Sequence, residues 1–232
     1  MQSAAARTVI PPPKPATLPV AGTDAVFPVH RVYCVGRNYA AHAVEMGHDP
    51  NKEPPFFFQK NPGNLVTGPR FAYPPATQNL HHEIELVVAL KSGGTDIPVE
   101  KALACVYGYA VGLDMPRRDL QDTAKELKRP WDASKAFEES APCSAIVPAE
   151  TIGHPTAGVI TVAVNGKPTQ TGDLNQMIWK VPEIIAHLSR LFTLAPGDII
   201  FTGTPSGVGA VVRGDVLAGR IDGVGSLEVT VA

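Results

Sequence analysis

The chain has 232 residues, 44% hydrophobic and 18% charged, with a formal net charge of -2. That length makes one large domain, or one domain with a small appendage. The near-zero charge excludes a general attraction to nucleic acid or to an anionic membrane. Pro (23) and Gly (21) are plentiful, which suits short strands and tight turns better than a helix bundle. Cys34, Cys105 and Cys143 are odd in number and make no C-x-x-C pair, so no disulfide framework or zinc ribbon is expected. Reduced thiols in a cytoplasmic protein are the expectation.

Residues 1–24, rich in Pro and Ala, read as an extended N-terminal arm, and 25–232 as a single domain. The N-terminus lacks the continuous apolar core of a signal peptide, and no stretch is long enough to span a membrane. "RVYCVG" (31–36) predicts a short strand. Residues 38–46 predict a short helix, with Asn38 as N-cap and Gly47 as its stop. "PPFFFQKNPGNLV" is strand or loop, and 82–91 is a strand. "ALACVYGYAVGLD" (102–114) reads as a helix end running into a strand. Residues 115–128 predict a helix with Pro116 in its first turn and Leu120, Ala124 and Leu127 as its apolar stripe. Residues 159–172 read as a hairpin turning at Asn165-Gly166. Residues 174–192 read as two helical pieces divided near Pro182. Short strands with Gly turns fill the rest. The order lacks a regular βαβ alternation, so the fold class is α+β.

Glu83 and Glu85 stand at the entrance of the apolar run 86–90. Positions i and i+2 of a strand face the same way, about 6.6 Å apart at about 3.3 Å per residue. Two like charges beside apolar residues repel and resist desolvation. A divalent cation would neutralise both, and an oxygen-only set suits Mg²⁺, Mn²⁺ or Ca²⁺. Charges guarding an exposed edge strand are the plain alternative. Asp114, at a strand end before a helix, is the natural third ligand; it serves equally as a helix cap. Arg118, Gln121 and Lys125 share one helix face beside it, suited to a substrate carboxylate or simply to solvent. His42 and Glu45, at i and i+3, are neighbours on one helix face, the arrangement of an oriented general base or of a surface pair. Lys135 is a catalytic cation or a surface lysine. In "GDIIFTGTPSGVG" (197–209) the glycines permit close backbone approach to a ligand, and Thr204 could bond a carboxylate. The loop lacks the spacing of a phosphate or dinucleotide fingerprint.

Together, "YCVGRNYAAHAVEMG", "HHEIELVVAL", "GYAVGLDMPRRDLQ", "SKAF" and "GDIIFTGTPSGVG" resemble the fumarylacetoacetate hydrolase family, in order, from about residue 30 to the C-terminus. The chain is similar to the short, single-domain members. The resemblance implies a β-rich mixed roll with a few peripheral helices, usually a homodimer. It implies a metal triad of Glu83, Glu85 and Asp114 holding Mg²⁺ or Mn²⁺, with Ca²⁺ able to take the site in a crystal. It implies a water-activating His42–Glu45 dyad, a catalytic Lys135, and substrate binding by Arg118, Gln121 and Thr204. The implied reaction is hydrolysis of a C–C bond in an acylpyruvate, with fumarylpyruvate, split to fumarate and pyruvate in gentisate-type aromatic catabolism, the expected substrate. The alternatives are an oxaloacetate decarboxylase or a homoprotocatechuate-pathway isomerase/decarboxylase on the same scaffold, and a non-catalytic, metal-stabilised binding module. "QKNP" replaces the family's "K-P" form. Arg37 and Lys60 are the candidates to meet a second carboxylate at the acyl end.

Overall fold

The computed structural model describes residues 8–40 and 54–232. Two sheets carry the fold. The larger has six strands in the order Val147–Pro148, Val106–Leu113, Ile84–Leu90, Ile199–Phe201, Val32–Gly36, Phe56–Lys60. All its neighbours run antiparallel except the parallel pair Ile199–Phe201 and Val32–Gly36. The second has five strands in the order Lys167–Asp173, Val159–Val164, Val216–Ile221, Gly225–Val231, Arg70–Phe71. Mixed sheets with few helices make the expected α+β class. The hairpin turns at Asn165-Gly166, both at positive φ (51° and 77°), as a tight two-residue turn requires.

The run 84–90 is apolar at almost every position because it lies inside the six-stranded sheet with both faces covered. Ile84, Leu86, Val88 and Leu90 face the larger core, shared with Ile160, Val162 and Leu217 of the second sheet and with Ile184 and Leu188 of the helix Val181–Leu191. Val87 and Ala89 face a smaller core with Leu18, Phe27 and Phe201. Leu18 and Phe27 come from a hairpin, Thr17–Pro19 with Val26–Pro28, whose turn contains the 24/25 division read from the sequence. Leu18 and Val20 are buried, so this part of the arm packs as a lid on the smaller core. Gly112 admits the close approach across that face: a Cβ there would meet Val87 and Phe201 at 2.6 Å.

Two local expectations are corrected. The helix Arg118–Glu126 begins after Pro116, with Arg117 as N-cap. Its inward face is Arg118, Gln121 and Ala124, while Leu127 is exposed. A polar stripe turns inward because buried acidic partners wait for it, which outweighs the apolar stripe. Asn38 acts as a staple: its side chain accepts from the Trp179 N–H (2.7 Å) and donates to the carbonyls of Trp179 and Thr202 (2.9 and 2.8 Å). Most of the helix expected over 38–46, with His42 and Glu45, lies outside the described residues. The break in 174–192 precedes Pro182: a 3₁₀ turn, Leu174–Gln176, is followed by Val181–Leu191 with the proline in its first turn. Among the described residues no helix is long and apolar enough to cross a membrane.

Candidate active site

Strand register brings the three acids together. Ile84 pairs with Leu113 and Glu85 with Gly112. One step further, Glu83 lies opposite Asp114, whose N–H donates to the Glu83 carbonyl at 2.9 Å. With the period of two, Glu83, Glu85 and Asp114 share one face. That face continues through Val87 and Ala89 into the smaller core, so the acids stand where the apolar packing ends. All three are buried, with exposures of 5%, 2% and 1%, and offer ligand oxygens within 4.8 Å of one another. Their burial excludes the reading of edge-strand guards.

Three buried cations answer three buried anions. Lys135 Nζ donates to Glu83 Oε2 (2.7 Å) and Asp114 Oδ2 (2.5 Å). Arg118 Nη2 donates to Glu83 Oε1 (2.5 Å) and its Nη1 to Gln121 Oε1. Lys60 Nζ lies 2.9 Å from Asp114 Oδ1 and bonds Ser140 Oγ (3.0 Å) and the Lys135 carbonyl. Glu85 Oε2 accepts the Gly203 N–H at 2.7 Å. Gly203 has φ 96°, and a Cβ there would meet Asn38 Cβ at 2.7 Å, so only glycine brings that amide to the carboxylate.

The charges set proton affinities. Burial pushes the Glu85 carboxyl well up, and repulsion from Asp114 and Glu83 adds to it, against the Gly203 amide. Burial alone would lower Lys135, but Asp114 and Glu83 outweigh it and hold the ammonium charged. Burial, with Arg118 nearby, lowers His81 to about 4, so its neutral ring accepts from Arg118 Nε at 3.4 Å.

The residues fit a hard divalent cation. The donors are three carboxylates, and Asp114 Oδ1 is buried with an ion pair but no hydrogen bond. Because Glu85 has a raised affinity for protons, its protonation favours the metal-free fold below the ordinary glutamate value. That stability is lost as pH rises through the folded value. Metal binding must displace this proton. The stabilisation by added Mn²⁺ is therefore expected to grow as pH rises above the ordinary glutamate range, read as melting temperature with and without metal. A pH-independent metal shift would contradict the assignment of Glu85.

A small cavity opens onto these groups. Seven of the expected site residues line it: Glu83, Glu85, Asp114, Arg118, Gln121, Lys135 and Thr204. His42 and Glu45 lie outside the described residues. Phe58 and Trp131, with ring centroids 5.7 Å apart, form an aromatic wall, and Arg37 lines the cavity with its guanidinium 5.4 Å from the Phe56 ring centre. Lys60 is not a reader of the acyl end: its side chain has no exposure and is spent on Asp114, Ser140 and the Lys135 carbonyl. Sequence reasoning missed the roles of Lys60, paired with Asp114, and of His81, beside Arg118. A lysine in a strand among phenylalanines was the one available signal, since such a charge needs a buried partner.

This fold and acid centre are those of the fumarylacetoacetate (FAA) hydrolase C-terminal family; its model matches residues 31–232, and the chain belongs to it. A fumarylpyruvate hydrolase from Ralstonia sp is 47% identical over 184 residues, 79% of this chain and 95% of that protein. A mitochondrial oxaloacetate tautomerase from Rattus norvegicus is 42% identical over 200 residues, 86% of this chain and 90% of that one. The crystal structure of fumarylpyruvate hydrolase from Pseudomonas aeruginosa in complex with Mn²⁺ and pyruvate superposes with a TM-score of 0.96 at 52% identity, covering 97% of this chain and 99% of that chain.

Proposed function

We propose that the protein is a metal-dependent hydrolase that cleaves a C–C bond of an acylpyruvate, with fumarylpyruvate and water giving fumarate and pyruvate. The observation that carries this is one small cavity holding three buried carboxylates, a charged buried lysine and an arginine–glutamine pair. The 52% identity to a fumarylpyruvate hydrolase that binds Mn²⁺ and pyruvate points the same way.

Glu83, Glu85 and Asp114 would hold Mg²⁺ or Mn²⁺, which supplies the Lewis acidity that steadies an enolate leaving group. With the three acids ionised, Lys60, Arg118 and Lys135 balance them, so a bound divalent cation would leave the centre positive and suited to an anionic substrate. Arg118, held by Glu83 and Gln121, orients the pyruvyl carboxylate together with Gln121 and Thr204. His42, steadied by Glu45, takes a proton from the water that attacks the distal carbonyl carbon. Lys135 donates to the oxyanion that develops there. The bond between that carbon and the methylene breaks, the acyl group keeps the hydroxyl, and the pyruvate enolate is protonated at carbon. His42→Ala should keep metal binding and lose hydrolysis; unchanged turnover would remove the dyad.

Arg37 reads the second carboxylate at the acyl end. Arg37→Leu is expected to raise KM for a dicarboxylic acylpyruvate by about 10- to 100-fold, the worth of a charge-assisted hydrogen bond, and to leave a monocarboxylic acylpyruvate nearly unaffected. Equal losses on both substrates would contradict it. A second reading, enolisation of oxaloacetate without attacking water, draws on the tautomerase relative. Decarboxylation of oxaloacetate at the same centre is tested beside it. Release of fumarate faster than conversion of oxaloacetate favours hydrolysis. A cytoplasmic homodimer in aromatic catabolism completes the proposal, drawn from the family resemblance; light scattering of the purified protein tests the dimer.

A further inference from the structure

We infer that Gln170 is a positioning residue: it fixes Thr204 so that the threonine hydroxyl donates into the cavity, to an oxygen of the bound oxo acid. This rests on the reading of the cavity as an oxo-acid site. Gln170 lies outside the cavity, on the strand Lys167–Asp173 of the five-stranded sheet, and is fully buried. Its carboxamide has four partners. Oε1 accepts the Ile84 N–H at 3.1 Å and lies 3.0 Å from His82 Nδ1. Nε2 donates to the Pro205 carbonyl at 2.7 Å and to Thr204 Oγ1 at 2.8 Å.

Two of these partners are backbone groups of fixed polarity. An N–H only donates and a C=O only accepts, so together they decide which end of the amide is oxygen and which is nitrogen. Both hydrogens of Nε2 are then used, one of them on Thr204 Oγ1. That oxygen must accept, and its own proton must point elsewhere. Thr204 lines the cavity, and among the described residues its hydroxyl has no other hydrogen-bond partner. A donor therefore faces the substrate. The reverse amide orientation would turn the hydroxyl proton onto the glutamine and present lone pairs to an anion. The amide also joins two parts of the site: Ile84 lies between Glu83 and Glu85, and Thr204 and Pro205 follow Gly203, whose N–H holds Glu85.

The test is pyruvate binding to the Mn²⁺-loaded protein, followed by calorimetry, with Mn²⁺ affinity and melting temperature alongside. Thr204→Val should weaken pyruvate binding about tenfold or more, the worth of one hydrogen bond to a charged group, and Thr204→Ser should recover most of it. Gln170→Glu replaces the donor by a carboxylate that takes the Thr204 proton for itself, so pyruvate should weaken by a similar factor. The double variant Gln170→Glu, Thr204→Val should be no weaker than Thr204→Val alone. Independent, multiplying losses would show that Gln170 acts by another route and overturn the inference. If Gln170→Glu does not fold, the threonine pair still decides: a Thr204→Val protein with unchanged pyruvate affinity overturns it. Wild-type protein that binds Mn²⁺ but not pyruvate overturns the oxo-acid reading and the inference together. Wild-type binding with no Thr204 effect overturns the inference alone.

Discussion

Replacing Asp114 with Asn should abolish metal-dependent turnover, with a fall on the order of 10³-fold or more, since Lewis-acid catalysis contributes several kcal/mol. The carboxylate is the one that the register sets opposite Glu83, and it gives one oxygen to Lys135 and the other to Lys60. The amide keeps the shape and removes the charge that a divalent cation needs. Lys60 then loses its carboxylate partner and Lys135 keeps only Glu83, so the metal-free variant should also melt lower. Mn²⁺ should no longer raise its melting temperature. An Asp114→Asn protein that keeps wild-type, metal-independent turnover would remove the acid centre from the mechanism. Loss of metal that changes melting temperature but no activity would instead support a metal-stabilised binding module.

Lys135→Met should separate stability from chemistry. The ammonium is almost wholly buried and touches both Glu83 and Asp114. Its removal leaves two carboxylates without their shared partner, a loss of about 3–5 kcal/mol for breaking a buried pair. A divalent cation neutralises the same carboxylates, so Mn²⁺ should restore much of the lost stability and raise the melting temperature more than in the wild type. Turnover should not return with it. Loss of a preorganised donor to the oxyanion is expected to lower kcat by about 10²- to 10³-fold in the metal-loaded variant. Calorimetric unfolding with and without Mn²⁺, beside steady-state kinetics, separates the two. Wild-type kcat in a stable, metal-loaded Lys135→Met protein would assign the lysine to the fold alone.

Much of this centre was legible before any coordinates. The i, i+2 carboxylates at a strand entrance pose an electrostatic problem that demands a partner, and the strand period already puts them on one face. Their burial and the Lys135 contact are tertiary facts that spacing does not hold: a lysine in a short polar segment reads alike whether it meets solvent or two acids. The helix at 118–126 shows the limit most plainly. Its apolar residues suggested which side turns inward, yet Arg118 and Gln121 turn inward and Leu127 stays in water, because ion pairing to Glu83 decides the face. The N-terminal hairpin was hidden for a related reason. Leu18 and Phe27 sit in short apolar stretches broken by prolines, and only the sheet face that they cover, with Val87, Ala89 and Phe201, gives them a reason to pair. Gln170 carried no local signal, since its four partners come from two distant parts of the chain, His82 with Ile84 and Thr204 with Pro205.

The most direct test is an assay of metal-stripped and metal-restored protein on fumarylpyruvate, with oxaloacetate run in parallel. The prediction is loss of fumarylpyruvate only with Mg²⁺ or Mn²⁺ present, with fumarate and pyruvate formed in equal amounts. Metal-dependent conversion of oxaloacetate without any release of fumarate would contradict the hydrolase reading and leave the acid centre to a different reaction.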